Sequence, residues 1–178
     1  MADSVIEAPV PLASASSESF EALYRRTFPR VYGYVASLLA DRAAAEDVTA
    51  LAFERAYRRQ RTFRLARGTP EAWIFGIARN AALDELRRRK RNATLAAEPD
   101  DPSAPAPDEY AELTLRRETV RAALAGLDAR ERDLIFLKFA GGLSHAEIAK
   151  VLRVSESNAG TRLHRTLEKL RKACNEDS

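Results

Sequence analysis

The stretch Leu143-Ser144-His145-Ala146-Glu147-Ile148-Ala149-Lys150-Val151-Leu152-Arg153-Val154-Ser155-Glu156-Ser157-Asn158-Ala159-Gly160-Thr161-Arg162-Leu163-His164-Arg165 decides how the chain is read. Ser144-x-x-Glu147 is a capping box, in which the serine hydroxyl takes a backbone N–H three residues on and the glutamate reaches back to the serine N–H. Leu143, just ahead of the cap, can staple onto Ile148 at the fourth helical position. The helix so started runs only to about Leu152, because Arg153-Val154-Ser155 supplies a short turn and Ser155 caps a further helix from Glu156 to about Lys172. Two helices joined by so short a turn form a helix-turn-helix.

The chemistry of that motif lies on the outer side of its second helix. Ala159, Leu163, Leu167 and Leu170 recur at steps of three and four and are predicted to pack on Ile148, Leu152 and Phe136 or Leu137. Ser155 at the cap, and Ser157, Asn158, Thr161, Arg162 and Arg165 along the helix, are left facing out. Serine and asparagine hydrogen-bond base edges, arginine forks onto guanine or phosphate, and a helix N-terminus favours phosphate. An ordinary helical hairpin with a solvated arginine face has the same spacing. Two consecutive capping boxes and the basic cluster Arg162, Arg165, Lys169, Arg171 and Lys172 favour DNA.

Working toward the N-terminus, Asp128-x-x-Glu131 starts a helix through Leu134, Ile135, Leu137 and Phe139, and Gly141-Gly142 stops it. A helix from Glu109 through Leu124 precedes it and ends at Gly126. Before that lies Ala96-Ala97-Glu98-Pro99-Asp100-Asp101-Pro102-Ser103-Ala104-Pro105-Ala106-Pro107-Asp108, acidic, proline-rich and without apolar periodicity, which reads as a linker over 92–108. It separates a C-terminal unit, 109–174, from an N-terminal unit, 18–91. Met1 to Ser17, rich in Ala, Ser, Pro and acids, reads as a disordered tail.

In the N-terminal unit, Phe20, Leu23, Tyr24, Phe28, Val31, Tyr32, Val35 and Leu38 trace one buried helical face, which Pro29 is expected to interrupt or bend. Asp41 caps a second helix, with Ala45, Val48, Leu51, Ala52, Arg55 and Ala56 in helical phase as far as about Arg59. A loop over 60–68 follows. Thr69 then offers an N-cap with Pro70 at the first helical position, and Trp73, Ile77, Ala81 and Leu86 lie along one side of a helix that runs into Arg87-Arg88-Arg89-Lys90-Arg91. Trp73 is expected to be core. The chain is therefore read as all-α, two small helical domains joined by a flexible linker.

Composition agrees. Of 178 residues 46% are hydrophobic and only 7% aromatic, and seven Gly and eight Pro are too few for a turn-rich β fold. The single cysteine, Cys174, excludes an intrachain disulfide, and two histidines without a cysteine cluster do not make the usual zinc site. No nucleophile–base pair or phosphate-cradling glycine loop is present, so no enzyme is expected, and no cofactor or metal. No apolar run approaches the ~20 residues that span a bilayer, and no signal peptide precedes the first unit, so a cytoplasmic protein without membrane insertion is expected.

With these residues in hand, Gly142-Leu143-Ser144-His145-Ala146-Glu147-Ile148-Ala149 followed by Arg162-Leu163-His164-Arg165 resembles region four of bacterial sigma factors of the extracytoplasmic-function group. Ala45-Glu46-Asp47-Val48 with Phe53-Glu54-Arg55-Ala56-Tyr57 is similar to the region-two segment that docks on core RNA polymerase. The helix Trp73 to Asp84, followed by Leu86-Arg87-Arg88-Arg89, resembles the promoter-melting helix of the same region. The resemblance implies a sigma factor whose partners are core RNA polymerase, promoter DNA and an anti-sigma factor. It implies Glu46, Asp47, Leu51 and Glu54 as polymerase-binding residues. Phe63, Arg64, Asn80, Arg87 and Arg88 are implied for the downstream element and the melted strand. Ser155, Ser157, Asn158, Thr161, Arg162 and Arg165 are implied for the upstream element. Two departures stand out: Ala50-Leu51 replaces an acidic pair in the docking segment, and Ala159-Gly160 replaces a Val-Lys pair in the reading helix, where Gly160 either permits close approach to DNA or is neutral. The alternative is an autonomous helix-turn-helix regulator that binds duplex DNA without polymerase, which leaves the Phe20 to Arg91 unit without a task.

The linker sets a length scale. Its extended reach is on the order of 55 Å and its flexible span about 23 Å. The two promoter elements the resemblance implies lie on the order of 50 to 70 Å apart along the duplex. Free protein is therefore expected to be more compact than bound protein.

Overall fold

The computed structural model of the chain describes residues 19–63, 68–95 and 111–176. Among the described residues there are helices and no strands. In chain order these are α1 (Phe20–Leu39), α2 (Arg42–Arg59) with a short 3-10 turn (Gln60–Thr62), α3 (Pro70–Leu95), α4 (Ala111–Ala125), α5 (Ala129–Phe139), α6 (His145–Leu152) and α7 (Glu156–Glu176). The tail Met1 to Ser17, Arg64 and residues 96–108 of the expected linker lie outside the described residues, whereas residues 92–95, expected to open the linker, continue α3 as helix to Leu95.

The starts of these helices follow their caps. The Asp41 carboxylate accepts the Ala44 N–H at 3.0 Å ahead of α2, and Thr69 Oγ1 accepts the Ala72 N–H at 3.2 Å with Pro70 opening α3. Both capping boxes form, Asp128 with Glu131 ahead of α5 and Ser144 with Glu147 ahead of α6. Of the two effects expected of Pro29, an interruption does not occur, since α1 runs through it from Phe20 to Leu39. An interior proline costs about 3 kcal/mol in a helix. Leu23 and Thr27 before it and Val31, Tyr34, Val35 and Leu39 after it are all buried, and their burial holds the helix together across the missing hydrogen bond.

α1, α2 and α3 pack side by side, with Ala45, Ala52, Ala56, Ala78 and Ala82 fully or nearly fully buried where the helices approach. Trp73 is half-buried against the core, as expected, with its ring centroid 5.2 Å from that of Phe63. In the C-terminal part, α7 lies across α4, α5 and α6, and Ala159 and Leu163 enter a core with Ile148, Leu137, Leu134 and Leu143.

The two parts do not hang apart as separate cores. α1 packs on α5 and α3 on α6, and one continuous apolar cluster runs from Leu23 to Leu163. The junction is built around Phe75, Tyr34 and Gly141. Tyr34 and Phe75 are fully buried with centroids 5.6 Å apart, and Arg30 stands over the Phe75 ring while its Nε donates to the Gly141 carbonyl at 2.7 Å. Gly141 permits this approach, because a Cβ there would meet Phe75 Cε1 at 2.9 Å.

Candidate nucleic-acid and polymerase interface

The helix-turn-helix closes through its turn. Arg153 takes a left-handed conformation, φ 57°, and its N–H together with that of Val154 returns to the carbonyls of Lys150 and Ala149 at 3.3 and 3.0 Å. This Schellman-type closure satisfies the end of α6 and turns the chain sharply into α7. Ser155 Oγ accepts the Asn158 N–H at 3.2 Å, so this hydroxyl serves as the cap of the reading helix. Ser155, Ser157, Asn158, Thr161, Arg162 and Arg165 are all exposed and together line one shallow groove. Asn158, Thr161, Arg162 and Arg165 follow one helical face, so their donors and acceptors point in one direction. Gly160 is half-buried on the side toward α6, where an added Cβ would meet His145 Nδ1 at 3.8 Å. Of the two readings of Gly160, a point of close approach to DNA is therefore not the one its placement supports.

On the N-terminal part, Asn80, Arg87 and Arg88 are exposed on α3. Asn80, Asp84, Arg87 and Arg91 share a helical face, so Asp84 stands within the row of cations. The basic run is partly neutralised within the fold. Arg87 pairs with Asp84 at 2.8 Å, Arg88 with Glu85 at 2.8 Å, and Arg89 with both Glu85 at 2.9 Å and Asp41 at 2.8 Å. Hydrogen bonds from Arg88 and Arg89 hold the Glu85 carboxyl down to about 2. Arg89 thereby fastens the end of α3 to the cap of α2 and also reaches the Leu39 carbonyl, a structural task that a basic run read from sequence does not reveal.

Phe63, expected to receive an unstacked base, is placed differently. It is 3% exposed and packs on Trp73, because the extended residue after the 3-10 turn directs its ring into the gap beside α3. Burying the ring removes apolar area from water, which an exposed base platform would forgo. Phe63 is core here, and its buried ring is not presented to a melted strand.

The expected polymerase face lies on the outside of α2. Glu46, Asp47 and Glu54 are exposed and Leu51 is 37% exposed. Asp47, Leu51 and Glu54 are spaced by four and three and share one face, whereas Glu46 is a step round the helix and pairs with Arg42 at 3.1 Å. Glu54 pairs with Arg58 at 2.6 Å. Beside this face Tyr57 and Tyr24 are exposed, and Tyr57 packs edge-on against Phe20 at 5.3 Å. An apolar and acidic surface of this kind suits a basic, partly apolar partner.

Three residues that sequence reasoning did not select meet at the junction. Asp133 on α5 is 4% exposed, accepts the Tyr34 hydroxyl at 2.7 Å through Oδ1, and pairs with Arg79 Nε at 2.7 Å through Oδ2. Burial, and then the Asp133 charge, push the Tyr34 phenol well above its usual range. Thr69 also donates to Glu147 Oε1 at 2.8 Å, tying the cap of α3 to the capping box of α6. Burial pushes the Glu147 carboxyl up, but hydrogen bonds from Ser144 and Thr69 outweigh it and hold the group below its ordinary value. A buried carboxylate in α5 leaves no periodic mark in the sequence, so no local signal pointed to it.

The geometry defines a bipartite helical DNA-binding protein: a helix-turn-helix with an exposed polar groove, joined to a helical bundle that carries a second basic helix. Residues 23–92 match the family described as Sigma-70 region 2, and residues 117–170 match Sigma-70, region 4. The chain is 33% identical to "RNA polymerase sigma factor CarQ" of Myxococcus xanthus over 90% of this chain and 92% of that protein. It is 32% identical to "ECF RNA polymerase sigma factor SigX" of Bacillus subtilis over 87% of this chain and 83% of that protein. Among solved structures it is similar to the sigma factor RpoE in complex with the anti-sigma factor NepR from Bartonella quintana, with a TM-score of 0.73, 25% identity, and coverage of 89% of this chain and 98% of that one. The chain belongs to the sigma-70 family, as an RNA polymerase sigma factor of the extracytoplasmic-function group. Proteins of this family are transcription initiation factors. Among the described residues no helix is long and apolar enough to cross a membrane.

Proposed function

We propose that this chain works as a non-enzymatic, cytoplasmic initiation factor whose tasks are divided between an N-terminal unit, 18–91, and a C-terminal unit, 109–174, joined by the linker 92–108. The α2 face of Asp47, Leu51 and Glu54, with Glu46 beside it, docks on core polymerase through charge complementarity around an apolar contact. The α7 groove of Ser155, Ser157, Asn158, Thr161, Arg162 and Arg165 reads the upstream promoter element. Asn80 contacts the melted downstream element while Arg87, Arg88 and, in the segment between Phe63 and Gly68, Arg64 follow the strand. An anti-sigma factor, as borne by the RpoE structure to which this chain is similar, is the inhibitor expected to cover these surfaces.

The observation that carries this reading is the exposure of all six upstream-reading side chains on one groove of a capped helix-turn-helix, in a chain that also presents Asn80 and Arg87 on the exposed side of a separate helix. The test is to incubate the protein with core polymerase and a promoter selected from its own genome. Specific transcripts that require both components are expected. Binding of duplex DNA unaffected by core polymerase, with no specific transcript, would point instead to an autonomous regulator and overturn the reading.

A further inference from the structure

A cleft of about 490 Å³ adjoins the groove of the reading helix and shares Arg162 and Arg165 with it. That volume falls in the range of sites that hold small molecules, about 300 to 1,000 Å³. Apart from Arg79, every residue of its wall comes from α5, α6, α7 or the cap of α5, so the site belongs to the C-terminal part. Arg130 lines it from the first turn of α5, which the Asp128 capping box fixes. Arg162 and Arg165 line it from a turn of α7 held by Thr166, whose buried side chain donates its hydroxyl to the Arg162 carbonyl at 2.9 Å. The three guanidiniums are thus carried on rigid helices, which is what a precise binding site needs.

The charges of the cleft do not balance. Asp133 is paired with Arg79 at 2.7 Å and Glu131 with Lys169 at 2.8 Å. The guanidiniums of Arg130, Arg162 and Arg165 make no ion pair and no hydrogen bond among the described residues, and of the carboxylates in the wall only Asp128 is left to oppose them. Three unpaired guanidiniums in one cleft suit a chain of phosphates, since each presents a planar fork of donors that matches phosphate oxygens. The carboxylates offer a second kind of contact. Asp128 accepts the Arg130 and Glu131 N–H groups on Oδ1, and Glu131 accepts the Asp128 N–H and Lys169 Nζ on Oε2. Oδ2 of Asp128 and Oε1 of Glu131 are left to accept from the N–H or O–H groups of a ligand. Leu134 and Leu152 add an apolar wall. A bare phosphate uses only the cations, whereas a ligand with a phosphate chain, hydroxyls and an apolar ring uses all three.

We propose that this cleft binds a nucleoside di- or triphosphate, with Arg130, Arg162 and Arg165 on the phosphates, Asp128 and Glu131 on sugar hydroxyls or base N–H groups, and Leu134 and Leu152 against the base. Arg162 and Arg165 cannot hold a nucleotide and the upstream promoter element at once, so bound nucleotide competes with the promoter. That consequence rests on the functional reading above, whereas nucleotide binding is a property of the chain alone. Arg130 separates the two, because it lines the cleft and not the reading groove.

Isothermal titration calorimetry of the full-length chain with ADP, GDP and inorganic pyrophosphate, at about 150 mM salt where weak surface attraction is screened, tests the site. One-to-one binding of ADP or GDP with a dissociation constant below about 1 mM is expected, with pyrophosphate several-fold weaker. Arg130→Gln, at an exposed position, is expected to keep wild-type helicity by circular dichroism and to weaken nucleotide binding about tenfold. With the chain assembled on core polymerase, nucleotide at about ten times its dissociation constant is expected to raise the promoter duplex needed for half-saturation about tenfold in wild type and about twofold in Arg130→Gln. No saturable binding, or undiminished binding in Arg130→Gln, would overturn the site. Pyrophosphate bound as tightly as both nucleotides would overturn the nucleotide assignment. Bound nucleotide that leaves promoter affinity unmoved would overturn the competition. Should the chain fail to bind core polymerase at all, the functional reading fails, while the calorimetry still decides whether the cleft holds a nucleotide.

Discussion

Replacing Gly141 by Ala tests the closeness of the junction most directly. The new Cβ would sit 2.6 Å from the Leu137 carbonyl oxygen and 2.9 Å from Phe75 Cε1. The first contact is with backbone inside the last turn of α5, which cannot move aside without lengthening the bond from the Gly141 N–H to Phe136 O, now 2.9 Å. The second is with a fully buried ring held by Tyr34 and Arg30. Overpacking by one methyl in a filled core costs about 1 to 3 kcal/mol, and two simultaneous contacts shorter than van der Waals separation place this change toward the upper end, about 3 kcal/mol. For a chain of this size that lowers the midpoint of thermal unfolding by about 6 to 12 °C. Differential scanning calorimetry and urea titration of wild type and variant measure it. A loss below about 0.5 kcal/mol would show that the chain around Gly141 yields freely and that the junction is not tightly packed.

Arg162→Ala is expected to weaken binding to the upstream duplex by about 1 to 3 kcal/mol and to relax preference at one base pair if the guanidinium reads a base, or to weaken all sequences alike if it meets phosphate; fluorescence anisotropy on a panel of single-base variants distinguishes them, and unchanged affinity throughout refutes the assignment. Asp47→Lys, at an exposed position of α2, is expected to reduce competition for core polymerase at low salt while leaving the unfolding curve in place. Ala40, which ends α1 at φ 50° with its N–H bonded to Ala36 O at 3.0 Å, is strained where glycine is not, and Ala40→Gly is expected to add about 0.5 to 1 kcal/mol in urea titration. Toward acid, Asp41, Glu85, Asp128, Glu131 and Glu147 all have carboxyls held below their ordinary values in the fold, Glu85 at about 2, so each contributes stability that is present above the unfolded-state range near 4 and is lost as pH falls toward 2. Urea midpoints measured from pH 6 to pH 2 are expected to fall across that window, and Glu85→Gln is expected to flatten the fall.

The sequence by itself determined everything that local chemistry and periodicity encode. The capping boxes at Asp128 and Ser144, the Thr69-Pro70 start and the alternation of apolar positions in α7 placed helices and marked which side of the reading helix faces out, because hydrogen bonds within four residues and a repeat of 3.6 are written in neighbouring letters. The six exposed residues of the α7 groove were legible for the same reason. Phe63 and Arg89 were not, since whether an aromatic ring turns inward, or an arginine finds Asp41 forty-eight positions away, depends on what the fold brings alongside. Pro29 does not interrupt α1, because its local cost is outweighed by burial on both sides of it. Only the tertiary structure decided the relation between the two parts. Tyr34 and Asp133 stand 99 positions apart and Arg30 and Gly141 stand 111 apart, and no periodicity links groups at such separations; their meeting depends on which faces of two finished bundles are complementary in shape and charge.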